Sequence, residues 1–279
     1  MQVIADSGAT KTRWCWTDGP AGGTSSMRTR GLSPLFVSVA DMAAVMRTVA
    51  ATLPRPATAI HFYGTGCGDA ERCAQVTKAL TRAFPEAKYT VHSDLLAAAR
   101  SLCGHAPGIA AILGTGMNSC HYDGRRIADQ VPSLGFILGD EGSGSYLGRH
   151  LLRAYFYRQL PPDLHAAVAA ALPGGRSALL TAVYQTDAPA AFLAGFTYTL
   201  AEFRGHAYVQ ALLHTAFGEL ADRVLAAYPT NLPVHFTGSV AAVFAAELRG
   251  ALGERGLPIG RIEADPMEGL VGYHAGGSF

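Results

Sequence analysis

The chain has 279 residues, 49% of them hydrophobic and only 15% charged, which excludes a disordered polypeptide and leaves room for about two domains with large buried cores. Its 22 basic and 21 acidic side chains give a net charge of +1 without any block of one sign, which disfavours nucleic acid or an anionic membrane as a partner. The apolar runs are too short to span a membrane, and the chain opens on a strand pattern, so we expect a soluble, cytoplasmic protein.

The first hundred residues predict a strand hairpin, a third strand, and then alternating helices and strands. Alternating apolar residues indicate the strands, and apolar residues at helical spacing after Ser38 and Ser93 indicate two capped helices. The predicted strands are 3–5, 12–16, 25–29, 59–63 and 88–92, and the predicted helices are 41–53, 70–84 and 94–102.

A turn cluster at residues 104–108 is the best candidate for a domain boundary, because the strand pattern restarts directly after it. The second half predicts strands 109–113, 118–122 and 125–131, a mostly helical stretch 144–228, a strand 234–237, a helix 240–252, a strand 259–263 and a last helix from 267.

The order strand, turn, strand, strand therefore occurs twice along the chain. It predicts two α/β domains, 1–106 and 107–266, the second with a helical insertion. The C-terminal helix, 267–279, is a candidate for packing back on the first domain. Such sheets bind ligands at the carboxyl ends of their strands or in the crevice between domains.

The turn between the first two strands has the sequence DSGATKT at residues 6–12. Gly8 lets the backbone approach a phosphate, Lys11 can neutralise its charge, and Asp6 can hold Mg²⁺, usually through water. An ordinary Asp/Gly hairpin turn explains this segment about equally well. The sequence contains neither the P-loop pattern nor GxGxxG after a strand.

Two later turns repeat parts of this chemistry. Gly114, Thr115 and Gly116 follow an apolar strand, and Gly238 and Ser239 follow another. Each of these turns could be only a connection. Their repetition about one domain away from the first turn favours phosphate binding at a shared cleft.

A glycine-rich loop, GDEGSGS at residues 139–145, places Asp140 and Glu141 directly before a helix. One interpretation is helix capping, because carboxylates and hydroxyls accept the free N–H groups of a helix start. The three glycines favour a second interpretation, a loop with the backbone freedom to close over a ligand.

Asp94 also has two interpretations. It stands where a strand meets a helix, so it can cap the helix, or it can act as a general base that takes the proton of an attacking hydroxyl. Both roles are compatible, since the second oxygen of a capping carboxylate is expected to be free.

Taken together, five motifs resemble the BadF/BadG/BcrA/BcrD ATPase family, and most closely its N-acetylglucosamine kinase branch. They are DxGxTKT at 6–12, SDxxxA at 93–98, GTGxNS at 114–119, GDEGS at 139–143 and GS at 238–239, and they occur in the family's order. The similarity runs from residue 1 to about residue 274, and the segment 139–143 is its most specific part. It implies two ribonuclease-H-like, actin-like ATPase domains with ATP and a sugar in the cleft between them.

The resemblance also implies residue roles. Asp94 would be the catalytic base, and Asp6 would lie near Mg²⁺. The cofactor-binding residues would be Asp6, Gly8, Thr10, Lys11, Gly114, Thr115, Gly116, Gly238 and Ser239, the last two against the adenosine. The substrate-binding residues would be Ser33, Asn118, Asp140 and Glu141. Ser33 stands where these kinases often have a sugar-contacting asparagine, which puts the identity of the sugar in doubt.

We therefore expect an ATP- and Mg²⁺-dependent kinase of N-acetylglucosamine or a related N-acetylhexosamine, with small-molecule partners and a homodimer left open. One alternative is the activator ATPase of a radical dehydratase, which needs cysteines for a shared iron–sulfur cluster. The region 139–148 has no cysteine, and the five cysteines of the chain form no CxxC pair. The other alternative is a non-enzymatic, nucleotide-dependent sensor.

Overall fold

The computed structural model describes residues 1–17 and 24–276. The chain divides into two compact units, one made of Met1–Ala106 with Pro266–Phe279 and one made of Pro107–Asp265. We call them unit 1 and unit 2. Each contains a five-stranded mixed sheet with helices, which confirms the predicted α/β class.

Unit 1 is built around a sheet of strand order β3-β2-β1-β4-β5. The first three strands pair antiparallel, and β1, β4 and β5 run parallel. Its elements up to the unit boundary are β1 (Gln2–Ser7), β2 (Lys11–Thr17), β3 (Thr24–Arg30), α1 (Val39–Thr52), β4 (Ala59–Gly64), α2 (Ala70–Ala83), β5 (Lys88–Ser93) and α3 (Asp94–Cys103).

Local sequence explains where these helices begin. The hydroxyl of Ser38 accepts the N–H of Asp41 at the start of α1, and the hydroxyl of Ser93 accepts the N–H of Leu96 at the start of α3. The predicted cap at Ser38 is confirmed, and Ser93 opens α3 as predicted. Helices α1 and α2 bury apolar faces against one side of the sheet, in a core that includes the fully buried Phe62.

Unit 2 repeats the arrangement, with strand order β10-β9-β6-β7-β8. Here β6, β9 and β10 run parallel, and β6, β7 and β8 pair antiparallel. Its elements are β6 (Gly108–Leu113), β7 (Met117–Tyr122), β8 (Ile127–Asp129), α4 (Gly135–Leu138), α5 (Gly144–Phe156), α6 (Pro162–Ala171), α7 (Gly175–Tyr184), α8 (Pro189–Gly195), α9 (Thr197–Glu202), α10 (Ala207–Arg223), a 3-10 helix (Leu225–Ala227), β9 (Val234–Thr237), α11 (Ser239–Val243), α12 (Ala245–Gly253) and β10 (Ile259–Glu263).

Three details of unit 2 differ from the sequence prediction. The single helix predicted at 240–252 is two helices, α11 and α12, separated at the buried Phe244. The strand predicted at 125–131 has only three residues in β8, and the short helix α4 was not predicted. Apolar periodicity continues through a bend that keeps its apolar side buried, so it does not locate the break.

The last helix, α13 (Met267–His274), belongs to unit 1. Met267 and Leu270 are buried beside Tyr63 on the side of the sheet that also carries α3. The imidazole of His274 stacks on His61, with 3.8 Å between the ring centroids, and its Nε2 lies 2.8 Å from the hydroxyl of Tyr63. These contacts hold the chain end on the unit that also contains the chain start.

In the part of the chain that the structure describes, no single helix is both long and apolar enough to cross a membrane. One pair, α6 and α7, bent by 59°, meets these two requirements when its helices are taken together.

Candidate functional site

The parallel strands of unit 1 end in register at one edge of the sheet. Ser7 at the end of β1 pairs with Gly64 at the end of β4, which pairs with Ser93 at the end of β5. Neighbouring strands lie about 4.8 Å apart, so the residues that follow these ends come within roughly 10 Å of one another. This edge therefore carries the first glycine turn, Thr65 and Asp94 together.

The first turn is short and exposed at its tip. The N–H of Gly8 donates to the carbonyl of Lys11 over 2.9 Å, and the side chains of Thr10 and Lys11 are exposed. Its base is fixed by the hydroxyls of Ser7 and Thr12, which lie 2.8 Å apart. The turn thus has a rigid base and presents its backbone, one hydroxyl and one ammonium group outward.

The segment 30–32, at and after the end of β3, is hydrogen-bonded to the base of this turn. The N–H of Leu32 donates to the hydroxyl of Ser7 over 3.0 Å, and the hydroxyl of Thr12 donates to the carbonyl of Arg30. A Cβ at Gly31 would overlap the carbonyl of Ala9, so only glycine permits this close approach.

Asp6 lies half-buried near the end of β1, beside the first turn. Within residues 1–17 and 24–276, no group of three or more His, Cys, Asp or Glu side chains is arranged to hold a metal ion. Mg²⁺ often takes only one or two protein carboxylates and completes its shell with water and phosphate oxygens. A single carboxylate such as Asp6 would be enough for a Mg²⁺ that arrives with a nucleotide, whereas these described residues hold no all-protein metal site.

Asp94 is the first residue of α3, and both of its carboxylate oxygens accept hydrogen bonds. Oδ1 accepts the N–H of Leu95 over 2.8 Å, and Oδ2 accepts the hydroxyl of Thr65 over 2.6 Å. Ser93 is the N-cap residue of α3, and Asp94 adds an acceptor for the N–H of Leu95 in the first turn, so the capping interpretation holds in part. The expectation that the second oxygen of Asp94 is free is wrong, because Oδ2 accepts the hydroxyl of Thr65.

The environment of Asp94 shifts its proton affinity. Burial raises the pKa of Asp94 above its usual value, and the hydrogen bonds from Thr65 and from Leu95 act in the opposite direction. A carboxylate with a raised pKa is a stronger base than an exposed one, which suits proton abstraction near neutral pH.

Thr65 is a site residue to which the sequence analysis gave no role. The sequence feature that could have indicated its role is a threonine between two glycines, Gly64-Thr65-Gly66, directly after a predicted strand. The turn at residues 114–116 has the same pattern. Only the strand register shows that it lies between the first turn and Asp94.

Ser33 lies inside a turn of unit 1. Its side chain has no exposed surface, and its hydroxyl accepts the N–H of Leu35 over 3.4 Å. The structure therefore places this predicted sugar ligand in the interior of the loop.

In unit 2 the second turn is joined to the start of α5. The N–H of Gly144 donates to the carbonyl of Gly114 over 2.8 Å, and the N–H of Ser145 donates to the carbonyl of Thr115 over 2.9 Å. The hydroxyl of Ser143 caps the helix by accepting the N–H of Tyr146. The second turn and the loop at 139–145 therefore form one connected structure.

Asp140 is the buried carboxylate of this structure. Its Oδ1 accepts the N–H of Met117 over 3.2 Å and the hydroxyl of Ser133 over 3.4 Å. A Cβ at Gly116 would lie 2.9 Å from Oδ2, so any other residue there would displace this carboxylate. Asp140 has a φ of 61°, a strained value for a side chain-bearing residue, and burial raises its pKa.

Glu141 and Asn118 have partners within unit 2. The buried carboxylate of Glu141 lies 3.8 Å from the guanidinium of Arg223 on α10. The half-buried Asn118 accepts the N–H of Ser119 and the side-chain amide of Gln130, each over 3.0 Å, through its Oδ1.

Two glycines of the loop at 139–145 are explained by backbone conformation and close packing. Gly142 has a φ of 75°, which favours glycine, and Gly144 lies in α5 where a Cβ would contact Ala194 and the carbonyl of Gly114. Close packing and one left-handed turn thus account for two of the three glycines that suggested a closing loop.

The third turn lies against the second. Gly238 has a φ of 117°, and a Cβ there would overlap the carbonyl of Leu113 at the end of β6. Ser239 follows it and begins α11. The two turns border one cavity of about 220 Å³, entirely within unit 2. Its lining residues are Gly114, Thr115, Ala191, Ala194, Gly195, Thr197, Tyr198, Ala201, Ser239, Val240, Val243 and Phe244.

Part of the cavity wall comes from α8 and α9, two helices of the predicted helical insertion. Gly114, Thr115 and Ser239 were predicted from the sequence to lie near a nucleotide, whereas α8 and α9 carry no motif that would have indicated their part in this cavity. The lining is mostly apolar and small, with the exposed ring of Tyr198 at its border. Such a lining offers mainly apolar contacts next to a polar glycine turn.

No protein-family model matches this sequence, and the comparison with curated proteins gives no match. Among solved structures, the chain is similar to the putative N-acetylglucosamine kinase of Porphyromonas gingivalis, with 35% identity, a TM-score of 0.94 and 99% of both chains covered. It is also similar to the putative N-acetylglucosamine kinase of Chromobacterium violaceum, with 21% identity, a TM-score of 0.78 and 98% of both chains covered.

A more distant similarity, to a ROK hexokinase of Thermus thermophilus, has 15% identity and a TM-score of 0.50 over 97% of this chain and 96% of that one. It concerns the fold alone. Together with the two closely similar structures, it shows the two-domain, actin-like ATPase and hexokinase fold. The 35% identity over nearly the whole of both chains shows that this protein belongs to the family of the Porphyromonas gingivalis putative N-acetylglucosamine kinase.

Proposed function

We propose that this protein is an ATP- and Mg²⁺-dependent sugar kinase of the BadF/BadG/BcrA/BcrD type. Its acceptor is an N-acetylhexosamine, with N-acetylglucosamine the first choice because the relatives at 35% and 21% identity carry that name. Related amino sugars stay open as further acceptors, because Ser33, which stands in place of the usual sugar-contacting asparagine, has no exposed surface.

The observation that carries this proposal is the placement of Asp94. A partly buried carboxylate with a raised pKa, oriented at both oxygens, stands on the same sheet edge as a glycine turn with an exposed lysine. Phosphoryl transfer to a hydroxyl needs a base for the hydroxyl proton and donors for the phosphate oxygens, and this edge supplies both.

Unit 1 has candidates for three roles in this reaction. The N–H groups of the first turn and Lys11 would bind phosphate oxygens, and Asp94 would orient the sugar hydroxyl and take its proton as the bond to phosphorus forms. Mg²⁺, bound through Asp6 and water, supplies neutralisation of phosphate charge.

Unit 2 has its own candidate contacts to nucleotide and sugar. We assign phosphate contacts to the turn at Gly114, Thr115 and Gly116, and the adenosine to the cavity that this turn shares with Ser239. Asn118 and Asp140, on the other side of the same turn, are the candidates for contacts to sugar hydroxyls. Glu141, paired with Arg223, holds this region in place.

A specific observation weighs against the activator ATPase. That activity needs thiolates at a subunit surface for a shared cluster. None of the five cysteines is exposed: Cys15, Cys67, Cys103 and Cys120 are buried, and Cys73 is half-buried. The sensor alternative predicts ADP release that no sugar stimulates, which the assay below measures.

The test is an ADP-release assay with a panel of hexoses and amino sugars, with the phosphorylated product identified by mass spectrometry. We expect N-acetylglucosamine or a close relative to stimulate ADP release. Asp94→Asn, which keeps the shape but removes the base, should lower turnover by about a hundredfold or more while ATP still binds.

Asp41→Asn is the matched control, because it neutralises an exposed carboxylate of the same unit. It should retain wild-type turnover. Near-normal turnover of the Asp94→Asn variant would contradict the assignment of the base, and ADP release that no sugar stimulates would contradict the kinase proposal as a whole.

A further inference from the structure

Thr65 occupies a fixed position between two parts of the candidate site in unit 1. Its N–H donates to the carbonyl of Ser7 over 2.8 Å, directly before the first turn, and its hydroxyl donates to Asp94 over 2.6 Å. Backbone and side chain thus connect the end of β1 to the start of α3.

The backbone around Thr65 leaves it little freedom. The N–H of Cys67 donates to the carbonyl of Gly64 over 3.0 Å, which closes a tight turn with Thr65 inside it, and Gly66 has a φ of 90°. A Cβ at Gly66 would lie 2.9 Å from the hydroxyl oxygen of Ser33, so the turn is also packed from outside. The direction of the Thr65 hydroxyl is therefore set by the fold.

The bond to Asp94 orients its carboxylate. An ionised carboxylate only accepts hydrogen bonds, and its two oxygens offer about four acceptor positions. The N–H of Leu95 donates to one oxygen and the hydroxyl of Thr65 to the other, which fixes the carboxylate plane. The backbone N–H of Asp94 itself is a third donor, so one of the roughly four acceptor positions is left for a substrate hydroxyl.

The same bond affects ionisation. Burial favours the protonated, neutral form of Asp94, whereas a hydroxyl that donates to the carboxylate favours the charged form. A base must be unprotonated to act, so a donor at Oδ2 extends the pH range in which the buried carboxylate works.

We propose that Thr65 is a positioning residue that fixes the carboxylate of Asp94 for proton abstraction and keeps it ionised. This inference rests on the proposed kinase function. Thr65 lies outside the three glycine turns and the loop at 139–145. Its hydrogen bond to Asp94 would give the contact between the end of β4 and the start of α3 a part in catalysis.

The test compares Thr65→Val, which keeps the shape but removes the donor, with Thr65→Ser, which keeps the hydroxyl. We expect Thr65→Val to lower kcat by about tenfold to a hundredfold, with the KM values for ATP and sugar changed by less than about threefold, because the hydroxyl acts through the base. The acid limb of the pH profile of kcat/KM should move up by about one unit. Thr65→Ser should restore most of the rate and the wild-type profile.

Thr81→Val is the matched control, since it removes an exposed hydroxyl that donates to the helix backbone of α2 in the same unit. It should behave as wild type. An unchanged acid limb in Thr65→Val would overturn the inference, as would a Thr65→Ser variant as impaired as Thr65→Val.

A second measurement separates this inference from the proposed function. The ¹³Cγ chemical shift of Asp94, titrated in the three proteins, needs no substrate and should show a higher pKa in Thr65→Val than in wild type and Thr65→Ser. Equal titration curves would overturn the inference even in an active kinase. A wild-type protein that transfers no phosphoryl group to any sugar would instead reject the proposed function.

Discussion

Replacing Gly148 by alanine tests the helix packing that forms one wall of the cavity in unit 2. Gly148 is buried in α5 where this helix crosses α8, and a Cβ there would overlap the carbonyl oxygen and carbon of Leu193. The obstacle is backbone, so it cannot rotate away as a side chain would. The two helices would have to separate by on the order of 1 Å in a filled core.

The expected magnitude is a balance of two effects. Alanine favours a helix interior over glycine by about 1 kcal/mol, and forcing an extra methyl group into a packed core costs about 1 to 3 kcal/mol. Since the overlap is with backbone, we expect the upper part of that range and a net loss of about 2 kcal/mol in the free energy of unfolding. The corresponding fall in Tm is roughly 4 to 8 °C.

Gly250→Ala provides the control within the same unit. Gly250 lies inside α12, and a Cβ there would have no neighbour within 4 Å. The same chemical change should therefore stabilise the protein by about 0.5 to 1 kcal/mol through helix propensity alone. The two substitutions are predicted to have opposite signs.

The assay is thermal and urea unfolding followed by far-ultraviolet circular dichroism and by tryptophan fluorescence. Both tryptophans, Trp14 and Trp16, lie in unit 1, so fluorescence reports unit 1 and the helical signal reports both units. A Gly148→Ala protein as stable as wild type would refute the packing argument. So would a Gly250→Ala protein destabilised to the same extent.

Two further predictions concern titratable groups of unit 1. Burial lowers the pKa of His61, of His92 to about 4 and of His274 to about 3, so these imidazoles are neutral in the folded state at neutral pH. Their lowered values mean that stability is fully present above about pH 6.5 and is lost as the pH falls toward those values, because the unfolded chain binds the protons more readily. His274→Gln should make the free energy of unfolding depend less on pH between 7 and 5, and an unchanged slope would contradict this. Burial also raises the pKa of the Cys67 thiol to about 12, so a thiol reagent at pH 8 should modify it only after denaturant is added; rapid labelling of the native protein would be inconsistent with that environment.

The local sequence determined most of the elements and the residue types of the site. Alternating and helical apolar spacing placed the strands of both sheets and α1, α2, α3 and α5, and the serines at 38 and 93 marked helix starts correctly. These features depend on neighbours within one or two turns of the chain, which a single sequence displays directly. The glycine turns were visible for the same reason.

Only the tertiary structure decided how these pieces meet. Strand register aligned the ends of β1, β4 and β5 and so brought Thr65 to Asp94, 29 residues away along the chain. The packing of α8 and α9 near the turn at Gly114 forms a cavity. Most of its lining residues are small or apolar, and such residue types do not indicate a binding site in a sequence. Burial then raised the pKa of Asp94, a property that no residue type carries by itself. Such features arise from contacts between distant segments, and packing energy in three dimensions selects them.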